Sequence, residues 1–295
     1  MILLEIMHTM PFFIRPEYKE HDLKLMEACF VSLSYTADTY VVLYNQGCLS
    51  EQEIQELLKP YSLNVIILGE GQNVGIPKAR QRCFEYIWEN FPDVPYISEI
   101  HLDMIFPQNW HKPLLSYLEH TNEPMISPCI VTESGHLHPI DNQKPAVQLP
   151  EGKKLENMLL LLEEISEQFH SQEPHIGFIH PVIHRSSALR HIGGYDHRFL
   201  PGKQGYEDDS LLVGYSYYMG TQNSWRPKCL PTSWVYHATL AQRMTLGDRQ
   251  EEFQKNLNGL FQQYGAYGLK ELARLHGETS NGHFQSYFNS LVQGR

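Results

Sequence analysis

The chain has 295 residues, enough for one large domain or two, and with 42% hydrophobic and 12% aromatic residues it can bury roughly 75% of its unfolded surface. That excludes a disordered chain and a disulfide-stapled mini-protein. Lys and Arg number 23 against 34 Asp and Glu, and the resulting net charge of −11 repels polyanions and argues against nucleic acid as a partner.

The opening run Met1 to Met7 has no basic segment before it and is interrupted by Glu5, so no signal peptide is expected. The longest later apolar run, Met158 to Leu162, is far short of the ~18 residues that span a bilayer. Cys29, Cys48, Cys83, Cys129 and Cys229 are scattered, odd in number and form no C-x-x-C pair, which suits reduced thiols in a soluble, cytoplasmic protein. Peripheral membrane attachment and homo-oligomerisation are left open.

In chain order, Ile2 to Met7 predicts a buried strand, and Leu23, Met26 and Phe30 mark a helical face; Tyr40 to Tyr44 and Val65 to Leu68 predict two further strands. Between these last two, Ser50-Glu-Gln-Glu53 is a capping box that starts a helix through Leu58. Pro77 suits the first turn of a helix to about Asn90, and Tyr96 to Leu102 predicts the next strand. This β-α-β-α-β-α-β order predicts an α/β fold, a parallel sheet with helices on both faces and ligands at the carboxyl ends of its strands. After an apolar run from Met125 to Thr132, the aperiodic stretch Glu133 to Gly152 reads as a long loop. Lys153 to His170 predicts an amphipathic helix, and from Arg249 onward a helical, aromatic-rich C-terminal appendage is expected.

Four clusters carry candidate chemistry. Asn73-Val-Gly-Ile-Pro-Lys-Ala-Arg80 is a glycine-containing turn entering a helix whose first turns carry Lys78, Arg80 and Arg82, an arrangement suited to an anion or to a plain strand-to-helix turn. Ile100-His-Leu-Asp103 ends a hydrophobic strand in a carboxylate that can ligate a hard divalent cation. Gly193-Gly-Tyr-Asp196 leads to Glu207-Asp208-Asp209 ahead of an apolar helix, where the acids either complement the helix dipole or supply a general base. Val235-Tyr-His237 ends a strand in a histidine that either reaches a metal or sits in the core.

Taken in order, Asn73-x-Gly75 with a downstream Arg, the strand ending in Asp103, Gly-Gly-Tyr-Asp, then Glu207-Asp208 and the strand-terminal His237 resemble the GT-A glycosyltransferases of the large family-two group. The resemblance covers residues 1 to about 240. It implies a GT-A, Rossmann-like, mostly parallel sheet flanked by helices, with a catalytic domain at 1–240 (nucleotide-binding half about 1–110, acceptor half about 111–240) and an appendage at 241–295.

The resemblance further implies that His8, Met10 and Pro11, after the first strand, and Asn45, after the second, meet the base and ribose, and that Asn73, Lys78 and Arg80 contact the diphosphate. Asp103 takes the last position of the D-x-D motif and His237 completes the metal site. Asp208 matches the catalytic base of inverting members, with Glu207 holding an acceptor hydroxyl. His101 replaces the first acid of D-x-D and removes a negative charge; its imidazole is expected to bind the nucleotide sugar at the ribose or to ligate a transition metal, with metal affinity lowered or preference tilted from magnesium to manganese. The implied reaction is transfer of a sugar, with inversion, from a nucleotide sugar (a UDP-sugar by the family's commonest usage) to a glycan, lipid-linked or protein acceptor. Competing readings are a nucleotide-sugar-binding protein without transfer activity, a metal-dependent hydrolase built on His136, His138, His175, His180 and His184, and a nucleotidyltransferase; the last wants a Gly-rich basic signature where Met7-His-Thr-Met-Pro stands.

Overall fold

The computed structural model describes residues 4–140, 145–170, 173–239, 249–278 and 282–293; the opening of the first predicted strand, part of the Glu133 to Gly152 loop and the expected boundary at 240 lie outside them. The described elements are β1 (Ile6–Phe12), α1 (Lys19–Ser34), β2 (Tyr40–Asn45), α2 (Glu51–Leu58), β3 (Asn64–Leu68), α3 (Ile76–Asn90), β4 (Tyr96–Glu99), β5 (Met104–Ile105), α4 (Lys112–Glu119), β6 (Met125–Thr132), β7 (Leu137–His138), α5 (Leu155–Phe169), β8 (His175–Ile176), β9 (Val182–Arg185), α6 (Ser186–Ile192), α7 (Glu207–Met219), β10 (Lys228–His237), α8 (Arg249–Leu275) and α9 (His283–Gln293).

Local chemistry accounts for several boundaries. The Ser50 side chain accepts from the Glu53 amide while Glu53 accepts from the Ser50 amide, and this capping box starts α2. β1 runs further along the chain than Ile2 to Met7 because His8 to Phe12 pair in parallel with Val41 to Asn45. His8, Met10 and Pro11 therefore lie on the strand, and Asn45 is the last residue of β2. β4 stops at Glu99, short of Leu102, because the chain turns at Leu102 and Asp103 into β5.

The strands form one mixed sheet in the order β3-β2-β1-β4-β9-β6-β10-β5, with β7 on β6 and β8 on β10. β3, β2, β1 and β4 are parallel, a Rossmann-like half, and β9 joins it antiparallel to the β6–β10 parallel pair. One face packs α1, α2 and α4 through Met26, Phe30, Ile54 and Leu114. The other packs α3, α6 and α7 together with the C-terminal helices: Leu257, Leu260, Leu269 and Leu272 share one core with Met7, Val42 and Ile97. A third cluster seats α5 against β6 and β10 through Met158, Leu162 and Trp234.

α8 does more than cover apolar surface. Asn256, fully buried, accepts from the Gly202 amide at 2.7 Å and donates to the Gly202 and Gly205 carbonyls at 3.3 and 2.7 Å. Gly259 lies so close to Phe199 that a Cβ would fall 1.5 Å from its carbonyl oxygen. On the other side of the same loop, the Ile76 amide donates to the Lys203 carbonyl at 2.7 Å, and a Cβ on Gly75, at φ +87°, would meet Lys203 at 2.7 Å. Among the described residues no helix is long and apolar enough to cross a membrane.

Candidate functional site

A cavity of about 650 Å³ opens where β1, β4 and β10 end. Asp103 and His237 meet there because β5 pairs antiparallel with β10, setting Met104 opposite His237, while the Ala238 amide donates to the Asp103 carbonyl at 3.0 Å. His237 Nε2 is 3.4 Å from Asp103 Oδ1, and its Nδ1 is 3.1 Å from the His180 carbonyl. A carbonyl can only accept, so Nδ1 carries a proton, and Nε2 is the His237 atom placed beside Asp103 to ligate a metal. His101 completes the group, its ring 5.3 Å from that of His237 and nearly perpendicular; one ligand atom from each of the three lies within 4.8 Å of the others.

Two imidazoles and one carboxylate, with one tautomer fixed by a backbone carbonyl, fit a divalent transition metal better than magnesium, which favours an all-oxygen shell. The His180 ring stacks on His101 at 4.7 Å and so sets the orientation of that ligand.

Asp208, one residue into α7, also lines the cavity, with 27% of its side chain exposed. Tyr206 precedes this helix in the left-handed region, at φ 60°, turning the chain sharply before the acids. Behind Asp208 lies a buried polar network centred on Glu99. Its Oε1 is 2.8 Å from His184 Nε2; its Oε2 accepts from Tyr195 Oη at 2.8 Å and pairs with Arg80 Nε at 3.0 Å. Burial pushes the Glu99 carboxyl up, but the Arg80 guanidinium and the His180 and His184 imidazoles outweigh it and hold the group well below the usual carboxylate range. With Glu99 ionised, His184 donates from Nε2 and its Nδ1 accepts from Tyr215 Oη at 2.8 Å. His180 Nε2 sits between the two carboxylates, 3.6 Å from Asp208 and 3.7 Å from Glu99.

Of the catalytic, nucleotide-sugar and metal residues singled out from the sequence, Pro11, Asn73, His101, Asp103, Asp208 and His237 line this cavity. The others do not, for physical reasons. Arg80 is fully buried and points inward, donating to the Thr9 carbonyl at 2.6 Å and the Ile100 carbonyl at 2.9 Å, so it joins strands and does not reach an anion. The amides of the glycine turn are also engaged: Val74 donates to Gln46 Oε1, Gly75 to Asn73 Oδ1 and Ile76 to Lys203. Lys78 is half-buried away from the cavity. His8 and Met10 are core residues; burial beside His111 pulls the His8 imidazole down to about 3. Asn45 is spent within its own turn, on Leu49 and Gly47. Glu207 is 4% exposed and does not line the cavity.

Of the histidines weighed for a hydrolase, His138 and His180 line the cavity, whereas His136 bonds Ser134 at the surface and His184 is satisfied inside the core. Sequence reasoning missed Gln46 and Phe178, which line the cavity, and the Glu99–Tyr195 pair behind it. The one local signal was Glu99 itself, an acid inside an apolar strand, which requires a buried partner.

No protein-family model matches the sequence, and no curated protein does. Solved structures do match in fold. The chain superposes on a Staphylococcus aureus TarS fragment (1–349) in complex with UDP with a TM-score of 0.56 at 12% identity, covering 99% of this chain and 75% of that one. The same fragment in complex with UDP-GlcNAc gives 0.54 at 10% identity over 92% and 72%. A longer S. aureus TarS chain gives 0.56 at 14% identity, with 94% of this chain covering 44% of its length. The fold is GT-A-like, with a mostly parallel sheet, flanking helices and a C-terminal helical end.

Proposed function

We propose that this protein is an inverting glycosyltransferase that moves a sugar from a nucleoside diphosphate sugar, a UDP-sugar in first place, to an acceptor hydroxyl. The observation that carries the reading is a single cavity lined both by Asp208 and by the His101, Asp103 and His237 group. UDP and UDP-GlcNAc in complexes of the structural neighbours support the choice of nucleotide. The strands of the first ~110 residues form the nucleotide-binding half in this reading, and 111–240 the acceptor half.

Asp208, part-exposed at the cavity wall, accepts the acceptor hydroxyl proton. The freed oxygen attacks the anomeric carbon from the face opposite the diphosphate; the carbon–oxygen bond to phosphate breaks, and the nucleotide leaves with the electron pair. Inversion follows from that single displacement. His101, Asp103 and His237 would hold a divalent cation, manganese ahead of magnesium, which when bound neutralises charge on the leaving diphosphate. Five free thiols suit work in a reducing, cytoplasmic compartment.

Calorimetric titration with UDP, GDP and dTDP, each with manganese, magnesium or EDTA, tests the reading. Micromolar binding of UDP, strengthened by metal and weakened in Asp103→Ala, is expected. No nucleotide binding under any condition overturns it.

A further inference from the structure

The proposed base, Asp208, has a fixed neighbour that has not been given a role. Tyr195, the tyrosine of the Gly193-Gly-Tyr-Asp196 segment, is 1% exposed and lies behind Asp208, outside the cavity lining. Its hydroxyl is 2.8 Å from Glu99 Oε2 and 3.3 Å from Asp208 Oδ1. A phenol has one proton and two lone pairs, and here it faces two acceptors. Glu99 takes the proton: it is the nearer oxygen, it is fully buried, and Arg80 pairs with the same oxygen. The Tyr195 oxygen is then left with a lone pair toward Asp208.

In this arrangement the Tyr195 oxygen can accept a hydrogen bond from Asp208 but has no proton of its own to give it. We propose that Tyr195 is a positioning residue for Asp208: with its own proton held by Glu99, its oxygen accepts the proton that Asp208 has taken from the acceptor. The inference rests on the reading of Asp208 as the base. The balance is simple. The acceptor O–H bond breaks, an O–H bond forms on Asp208, and that proton stays on Asp208, hydrogen-bonded to Tyr195, while the anomeric carbon exchanges its bond to phosphate for one to the acceptor oxygen. No proton passes on to Glu99, which keeps its charge for Arg80.

The rest of the surroundings keep Tyr195 in place without its hydroxyl. Its ring stacks on Phe84 at 5.8 Å and 12°, and its amide donates to Gln81 Oε1 at 2.8 Å. Tyr195→Phe therefore removes one oxygen and leaves the packing.

The test is the hydroxyl deletion, read in two ways. Release of UDP from UDP-GlcNAc, UDP-glucose and UDP-galactose, with water as acceptor, is expected to show kcat lowered about 10–100-fold in Tyr195→Phe, with KM and UDP affinity within about twofold of wild type. Crystals of both forms with UDP are expected to show the Asp208 carboxyl displaced in the variant, with Glu99 and Arg80 unmoved. An unchanged kcat with Asp208 in its original position overturns the proposal, as does a wild-type crystal in which Tyr195 Oη lies beyond about 3.5 Å from Asp208. If wild type neither binds UDP nor releases it, the transferase reading fails by itself, and ligand-free crystals of both forms still decide, by the same Asp208 position and Tyr195 Oη distance, whether Tyr195 holds Asp208.

Discussion

Replacing Arg80 separates a structural arginine from a phosphate ligand. The side chain is fully buried, bonds the Thr9 carbonyl at 2.6 Å and the Ile100 carbonyl at 2.9 Å, and pairs with Glu99 at 3.0 Å, joining α3 to the middle of β1 and the end of β4. Removing one member of a buried ion pair costs about 3–5 kcal/mol, and each buried carbonyl left without a donor adds about 1–3. Arg80→Met is thus expected to lose most of a typical native stability of about 5–15 kcal/mol. Arg80→Lys keeps one charge for Glu99 but cannot span both carbonyls, and an intermediate loss of about 2–4 kcal/mol is expected. Urea unfolding followed by fluorescence measures this, alongside UDP titration of the folded Arg80→Lys protein, expected to stay within about threefold of wild type. A ligand to the diphosphate behaves in the opposite way, with stability kept within about 0.5 kcal/mol and UDP binding weakened by tenfold or more. That pattern would refute the inward assignment.

Asp208→Asn should leave UDP affinity nearly unchanged and reduce turnover by about 10²–10⁴-fold, read as UDP release from a UDP-sugar; unchanged turnover puts the base elsewhere, with Asp209 next in line. His101→Asp should strengthen magnesium-supported UDP binding relative to manganese, by calorimetry, because it adds a hard anionic oxygen; an unaltered metal ratio counts against His101 as a ligand. The fold should also be acid-labile. Burial pulls His8 to about 3 and His111 to about 4, below the usual 6.5, so the unfolded chain takes up protons that the folded one refuses. Stability is then complete above about pH 6.5 and falls on acidification toward pH 4, by at most ~1.4 kcal/mol per pH unit for each histidine. His8→Gln should roughly halve that slope in urea melts taken across pH 7 to 4, and an identical slope removes His8 as a cause.

Much of the alternating β/α half was readable because its signals are local. The Ser50 and Glu53 capping box, Pro77 at the start of α3 and the apolar run Met125 to Thr132 each state an element within a few residues. His101 and Asp103 were readable as a pair for the same reason. The network behind Asp208 was not, because Glu99 meets His184 and Tyr195 across 85 and 96 residues, and no local period encodes such a meeting. Arg80 shows the reverse error: cations at the first turns of a helix read as an anion site until the strands above them claim the guanidinium. His237 was assigned from its place at the end of a strand, but its partnership with Asp103 depends on the β5–β10 register, which two residues of strand, Met104 and Ile105, do not announce.

The grip of α8 on the Gly202 to Gly205 loop bears on how such a chain can be shortened or fused. Asn256 supplies the bonds that would otherwise have to come from water, and Gly259 leaves no room for anything between helix and loop. The same loop hands a carbonyl to Ile76 on one flank and leads straight into Glu207 and Asp208 on the other. A chain ended before 249 would lose, together with this splint, Arg249 and Glu252 from the cavity wall and Leu257, Leu260, Leu269 and Leu272 from the core beneath the sheet.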